Sequence, residues 1–157
     1  MRLEYFQLID RVVDLNLADR KITSEATVPE ESTIFEGHFP GYPLMPGVLL
    51  IEAMAQTSGW LVVAVNRFSR MCVLASVKEA KLRTFVLPGQ RLRVESRLEH
   101  EGSGYAVAAA KITADGKPIC DATLTLRVLD FPNADVKPKM LEIAAGIGLK
   151  AEALADG

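Results

Sequence analysis

The chain is predicted to fold as an α+β domain in which one antiparallel sheet wraps around a long central helix. Three features predict it. Residues 47–65 form an apolar run of helical length. Strand-like segments lie on both sides of that run. Turn signals then separate the later strands at hairpin spacing.

The first two elements are extended. Leu8 to Leu15 and Lys21 to Val28 are β-rich and meet at a polar turn around Asp19-Arg20. Pro29 to Pro46 reads as a loop whose prolines and glycines leave the backbone few choices. The apolar helix starts near Pro46-Gly47, since proline is tolerated in a first turn, where its missing donor would be unpaired anyway. Gly47 to Val65 is nearly long enough to span a bilayer. It carries Glu52, Gln56, Thr57 and Ser58, however, and a carboxylate inside a membrane costs about 2.5–3.5 kcal/mol. A helix apolar on nearly every side is also expected when a protein encloses it, so no membrane insertion is expected.

After Met71 the period changes. Strands are expected at 72–85, 90–101, 105–114 and 118–129, forming a four-strand antiparallel meander. In the second of these, Leu92, Val94 and Leu98 alternate with Arg91, Arg93, Glu95, Arg97 and Glu99, a half-buried pattern. Leu87-Pro88-Gly89-Gln90 suits a type II turn, and Gly102-Ser103-Gly104 and Asp115-Gly116 suit hairpins. Sheet and helix each bury the other's apolar face. The main domain is expected over 1–130. Residues 131–157 form a C-terminal extension, a linker over Phe131 to Pro138 and then a short Ala-rich helix over Met140 to Ala155, partly ordered or docked on a neighbour.

Composition narrows the function. The chain has 157 residues, 49% hydrophobic and 24% charged, which suits one globular domain. A net charge of −2 argues against general nucleic-acid binding. Cys72 and Cys120 sit in apolar runs without metal-ligand spacing and read as buried, reduced thiols of a cytoplasmic protein. No signal peptide is evident, and two histidines without paired cysteines give no expectation of a metal.

The chemistry concentrates in Gly37-His38-Phe39-Pro40-Gly41, followed by Pro46-Gly47 and Glu52. Two glycines and a proline stiffen the turn that carries His38, and an imidazole exchanges a proton at little cost near neutral pH. Glu52 stands among Leu49, Leu50, Ile51, Ala53 and Met54, where a carboxyl must be paired, neutral or functional. Gln56 shares its helix face and either orients Glu52 or makes a core hydrogen bond. Gly47, at the helix start, either offers an unpaired N–H to a carbonyl gaining charge or is simply a tight-turn residue. A base and an acid held apart on stiff backbone suit proton removal beside a carbonyl.

Residues 37–56, from Gly37-His38-Phe39-Pro40-Gly41 through Pro46-Gly47-Val48 to Glu52-Ala53-Met54-Ala55-Gln56, closely resemble the FabZ-type 3-hydroxyacyl-acyl carrier protein dehydratases. The resemblance extends more loosely from about Leu8 to Arg127. It implies a hotdog fold and a homodimer with two active sites at its interface, often a trimer of dimers. It implies His38 and Glu52 as the catalytic pair, meeting from opposite subunits, and the Gly47 N–H on the thioester carbonyl. The family pattern begins with a short helix and a His-Arg-Tyr-Pro-like segment, whereas this chain reaches Leu8 almost at once. That departure bears on the acyl entrance, and the long tail suggests a specialised member.

The expected reaction converts (3R)-hydroxyacyl thioesters of acyl carrier protein into trans-2-enoyl thioesters and water in fatty acid biosynthesis. The substrate rides on phosphopantetheine, and no cofactor of the protein's own is expected. Phe39, Val48, Ile51, Met54, Ala55 and Trp60 are candidates for an apolar acyl tunnel, with ordinary core as the alternative. Lys78, Lys81 and Arg83, with Arg91 and Arg93 on what the meander makes an adjacent strand, are candidates for docking the acidic carrier. Competing readings are a dehydratase that also isomerises the double bond, for which the family has Asp in place of Glu52, a hotdog acyl thioesterase, and a non-catalytic scaffold.

Overall fold

A computed structural model of the protein describes residues 1–150. After a 3-10 turn at Leu3–Tyr5 come β1 (Arg11–Asn16) and β2 (Lys21–Thr27), a short helix α1 (Thr33–Gly37) and the central helix α2 (Gly47–Val65). β3 (Met71–Leu82), β4 (Arg91–Gly102), β5 (Tyr105–Ala114), β6 (Lys117–Leu129) and α3 (Val136–Gly146) complete the chain. All six strands form one antiparallel sheet in the order β1-β2-β4-β5-β6-β3.

The expected four-strand meander is therefore corrected. β4, β5 and β6 follow one another, but β3 lies beyond β6 at the sheet edge and β4 pairs with β2. The reason is local. The two-residue turns at Ser103-Gly104 and Asp115-Gly116 adopt the positive φ values that close tight hairpins, but no such turn follows β3. Instead the Leu87–Gln90 turn, with Gly89 at φ +82°, is tied to the end of β2. Gly89 N–H donates to the Val28 carbonyl and Val28 N–H to the Gln90 carbonyl, both at 2.9 Å. That clamp delivers β4 to β2.

α2 is long and apolar enough to cross a membrane, but just over half of it is buried against the sheet. Leu50 and Met54 pack in one cluster with Leu92, Val94, Ile112 and Leu124, and Leu61 and Val62 in a second with Leu98, Ala106, Ala108 and Leu126, all from β4, β5 and β6. Two buried polar pegs fix its register. Ser58 Oγ meets Ser96 Oγ of β4 at 2.7 Å, and Thr57 Oγ1 meets Ser24 Oγ of β2 at 2.7 Å. Among the described residues no buried side-chain polar atom lacks a partner.

Three further details differ from expectation. The 29–46 segment is not all loop, because Ser32 caps α1 by accepting the Ile34 N–H at 3.2 Å. The first strand begins at Arg11, since Leu8 N–H is taken by the Gln56 side chain. α3 begins at Val136, inside the expected linker, and packs on its own chain through Ala144, with Ile147 and Leu149 just after its end, against Val63, Ala64 and Phe68. The end of the expected tail helix, including Leu154 and Ala155, lies outside the described residues.

Candidate active site

His38 is held by backbone on both sides. Its N–H closes the end of α1 on the Ile34 carbonyl at 3.1 Å. Its carbonyl accepts the Leu44 N–H at 2.8 Å, and its Nδ1 lies 2.9 Å from the Leu44 carbonyl. A carbonyl oxygen only accepts, so Nδ1 carries the hydrogen, and in the neutral imidazole the lone pair is on Nε2. The intervening turn is closed by reciprocal 2.8 Å bonds between Phe39 and Tyr42, with Gly41 at φ +74°, where an L side chain would be strained. The peptide joining His38 to Phe39 is cis, and the two rings stack with centroids 4.2 Å apart.

α1 itself is anchored from the N-terminal segment. The Glu4 carboxylate accepts the Ser32 hydroxyl at 2.7 Å and the Thr33 N–H at 3.0 Å. These bonds, that from Ser32 foremost, lower its pKa from 4.5 to about 2.

His38 and Gly47 line one groove of about 560 Å³, together with Leu50, Leu82, Arg83 and Phe85. The α2 ladder begins with Leu49 and Leu50 bonding to the Pro46 carbonyl, so Gly47 N–H stands ahead of it. The space that a Cβ at Gly47 would take is filled by the flexible end of the Leu82 side chain, which would have to shift.

Glu52 lies in a second groove of about 430 Å³, with Phe6, Gln56, Trp60 and Leu74 on its walls. Gln56 Nε2 donates to Glu52 Oε1 at 3.2 Å and to the Phe6 carbonyl at 2.9 Å, while its Oε1 accepts Leu8 N–H at 3.1 Å. One amide thus ties Glu52 to the N-terminal segment. Glu52 is half-buried rather than enclosed, because its groove opens outward. Cys72 lines the same groove, but burial pushes its thiol up to about 12, which leaves it a poor nucleophile.

Within one chain the two grooves are distinct. Five residues separate Gly47 from Glu52, which turns the carboxyl about 140° around the helix axis from the glycine. Both grooves border β3, one at Cys72–Leu74 and the other at Leu82–Phe85.

The other candidate residues divide. Phe39 borders the His38 groove, and Ala55 and Trp60 border the Glu52 groove. Met54 is fully buried in the core, Ile51 packs on that core, and Val48 is 72% exposed and borders neither groove. Lys78 and Lys81 are exposed on β3, while Arg83 lies at the His38 groove, its Nη2 2.6 Å from Asp121 Oδ2. Arg91 and Arg93 are not on an adjacent strand, because β5 and β6 stand between β4 and β3. The sequence reading missed the Leu44 carbonyl, which carries no residue-type signal, and the Glu4 anchor, to which Ser32-Thr33 ahead of an apolar pair was the available pointer.

A sheet around a central helix, with an imidazole, a helix-start N–H and a carboxyl on grooves along the helix, defines a hotdog-fold protein with a polar site. Solved structures agree on the fold. A hypothetical thioesterase from Streptococcus pneumoniae, with coenzyme A, superimposes with a TM-score of 0.58 at 18% identity, over 78% of this chain and 88% of that one. The family model of the FabA-like domain matches residues 2–123. The 3-hydroxyacyl-[acyl-carrier-protein] dehydratase FabZ of Ligilactobacillus salivarius is 38% identical over 122 residues, covering 77% of this chain and 86% of that protein. Its counterpart from Polynucleobacter necessarius is 37% identical, covering 78% and 83%. The chain belongs to the FabA-like family, among the dehydratases of FabZ type.

Proposed function

We propose that the protein dehydrates (3R)-hydroxyacyl thioesters carried on the phosphopantetheine of acyl carrier protein, as a step of fatty acid biosynthesis in the cytoplasm. His38 Nε2 takes a proton from C2, and the C–H electrons form the C2=C3 bond. The C3–O bond breaks as Glu52, acting as the acid, protonates the departing hydroxyl, which leaves as water. Gly47 N–H holds the thioester oxygen as charge gathers there; losing such a donor costs about 10²–10³ in rate. Proton transfer is chemistry that these side chains supply themselves.

The observation that carries this reading is the Nδ1–Leu44 bond, which commits one imidazole nitrogen and leaves the other basic, on the groove that Gly47 also lines. The acid comes from a second copy. β3 is a long edge strand with Val73, Leu74, Val77 and Leu82 exposed, the kind of edge that pairs with another strand. Antiparallel pairing of β3 with its twin about a two-fold near Lys78 sets the Leu82–Phe85 end of one chain against the Cys72–Leu74 end of the other. The His38 groove of each protomer then meets the Glu52 groove of its partner, giving two equivalent sites. Phe39, Ala55 and Trp60 border the acyl path. Lys81 and Arg83, at the β3 end beside His38, meet the acidic carrier.

The test is turnover of His38→Ala and Glu52→Gln on a 3-hydroxyacyl carrier substrate, followed by mass analysis of the enoyl product. Each substitution is expected to cost about 10²–10⁴ in kcat, the usual worth of a general base or acid. Near wild-type rates for either variant would overturn the assignment, and release of free carrier thiol without enoyl product would make it a thioesterase.

A further inference from the structure

We infer that α3, which lies beyond the residues matched by the family model, is a wall of the acyl site, and that Met140 and Ile143 limit the length of acyl chain accepted. This rests on the dehydratase reading for the identity of the ligand. The groove that holds Glu52 follows α2 past Gln56 and Trp60 to Val63. Eleven residues of helix make that path about 16 Å long. Its start is the carboxyl that would serve C3, so its far end is where the acyl tail must finish. There the lining passes from α2 and β3 to Met140 and Ile143 of α3.

α3 is held firmly enough to act as a wall. The Ile147 carbonyl accepts the Val12 N–H of β1 at 2.7 Å, and Leu149 and Ala144 are buried beside Val63 and Ala64. Ile143, 43% exposed, stands outside that anchoring cluster, whereas half-buried Met140 packs against its edge. The size of Ile143 can change while Ala144, Ile147 and Leu149 keep the helix in place. The occupant is set by the walls: beyond Gln56 the groove is lined by Trp60, Val63, Leu74, Leu126, Met140 and Ile143, which suits a saturated chain, and added or removed methylenes there are worth about 10–200-fold in discrimination.

The experiment uses the full chain and its Ile143→Trp and Met140→Ala/Ile143→Ala variants. Turnover is measured on butanoyl-, decanoyl- and hexadecanoyl-type 3-hydroxyacyl carriers. Binding is measured in parallel with non-reacting thioether analogues of acyl pantetheine of the same lengths. Ile143→Trp is expected to lower kcat/KM for the longer substrates about tenfold or more, leaving butanoyl turnover within about twofold. The double alanine variant is expected to shift preference toward hexadecanoyl. An unchanged length profile, or equal losses at every length, would overturn the inference while leaving the dehydratase reading intact. Length-dependent binding that moves with these variants, without enoyl product from the wild type, would uphold the wall and overturn the reaction.

Discussion

Replacing Gln56 by alanine separates the positioning of Glu52 from its chemistry. The amide makes three bonds, at 3.2 Å to Glu52 Oε1, 2.9 Å to the Phe6 carbonyl and 3.1 Å from Leu8 N–H. A net hydrogen bond is worth about 0.5–1.5 kcal/mol, and the Phe6 carbonyl reaches solvent, so water replaces part of what is lost. The expected destabilisation is therefore about 1–3 kcal/mol. For a chain of this size each kcal/mol moves Tm by roughly 2–4 °C, giving a fall of roughly 2–12 °C in a reversible thermal scan. The bond to Glu52 adds a kinetic effect, because a carboxyl freed from its donor samples other rotamers. We expect kcat to fall about tenfold with KM nearly unchanged, the pattern for a group acting in the transition state alone. A Tm within one or two degrees of wild type would refute the structural half. A lower Tm with unaltered kcat would show that Gln56 only staples the N-terminal segment.

The remaining expectations concern the scaffold and the carrier. Ser58→Ala leaves the buried Ser96 hydroxyl without its 2.7 Å partner, so urea unfolding is expected to show a loss of about 1–3 kcal/mol, with Ser58→Ala/Ser96→Ala losing less than the sum of the single variants. Glu4 has a folded pKa below its unfolded one, so its contribution is complete above about pH 4.5 and disappears as pH falls through about 2. Glu4→Gln should therefore remove part of the acid dependence of stability in that window, and an unchanged pH profile would count against the anchor. Binding of an acidic carrier should weaken with salt and with Lys81→Glu in a surface-binding assay, and salt-independent binding would remove Lys81 from the docking site.

Much of the site was legible because its residues lie within one stretch of sequence. The Gly37–Gln56 run carries the turn, the helix start and the carboxyl together, and chain connectivity alone brings His38 near α2. The alternation at Leu92, Val94 and Leu98 reads correctly because one face of β4 packs on the helix and the other meets water. What failed depended on pairings between distant segments. Period-two patterns define a strand but not its neighbour, so β3 was set beside β4 when the Val28–Gln90 clamp draws β4 to β2. Met54 and Val48 were equally apolar as letters, yet one is fully buried and the other is 72% exposed, because rotation around α2 decides which face meets the sheet. The tail reads as a linker and a short helix that is partly ordered or docked on a neighbour. Ala144 instead lets α3 lie close to Val63 and Ala64 of its own chain, and no local pattern specified that docking site.

The claim beneath all of this is that each reaction centre draws its imidazole from one protomer and its carboxyl from the other. Mixing inactive His38→Ala with inactive Glu52→Gln, after exchange of subunits, tests it most directly. Half of randomly paired dimers are hybrids, and each hybrid holds one intact centre of two, so enoyl formation should recover to roughly a quarter of the wild-type rate. No recovery above the two parents, in a mixture shown to contain hybrids, would contradict it.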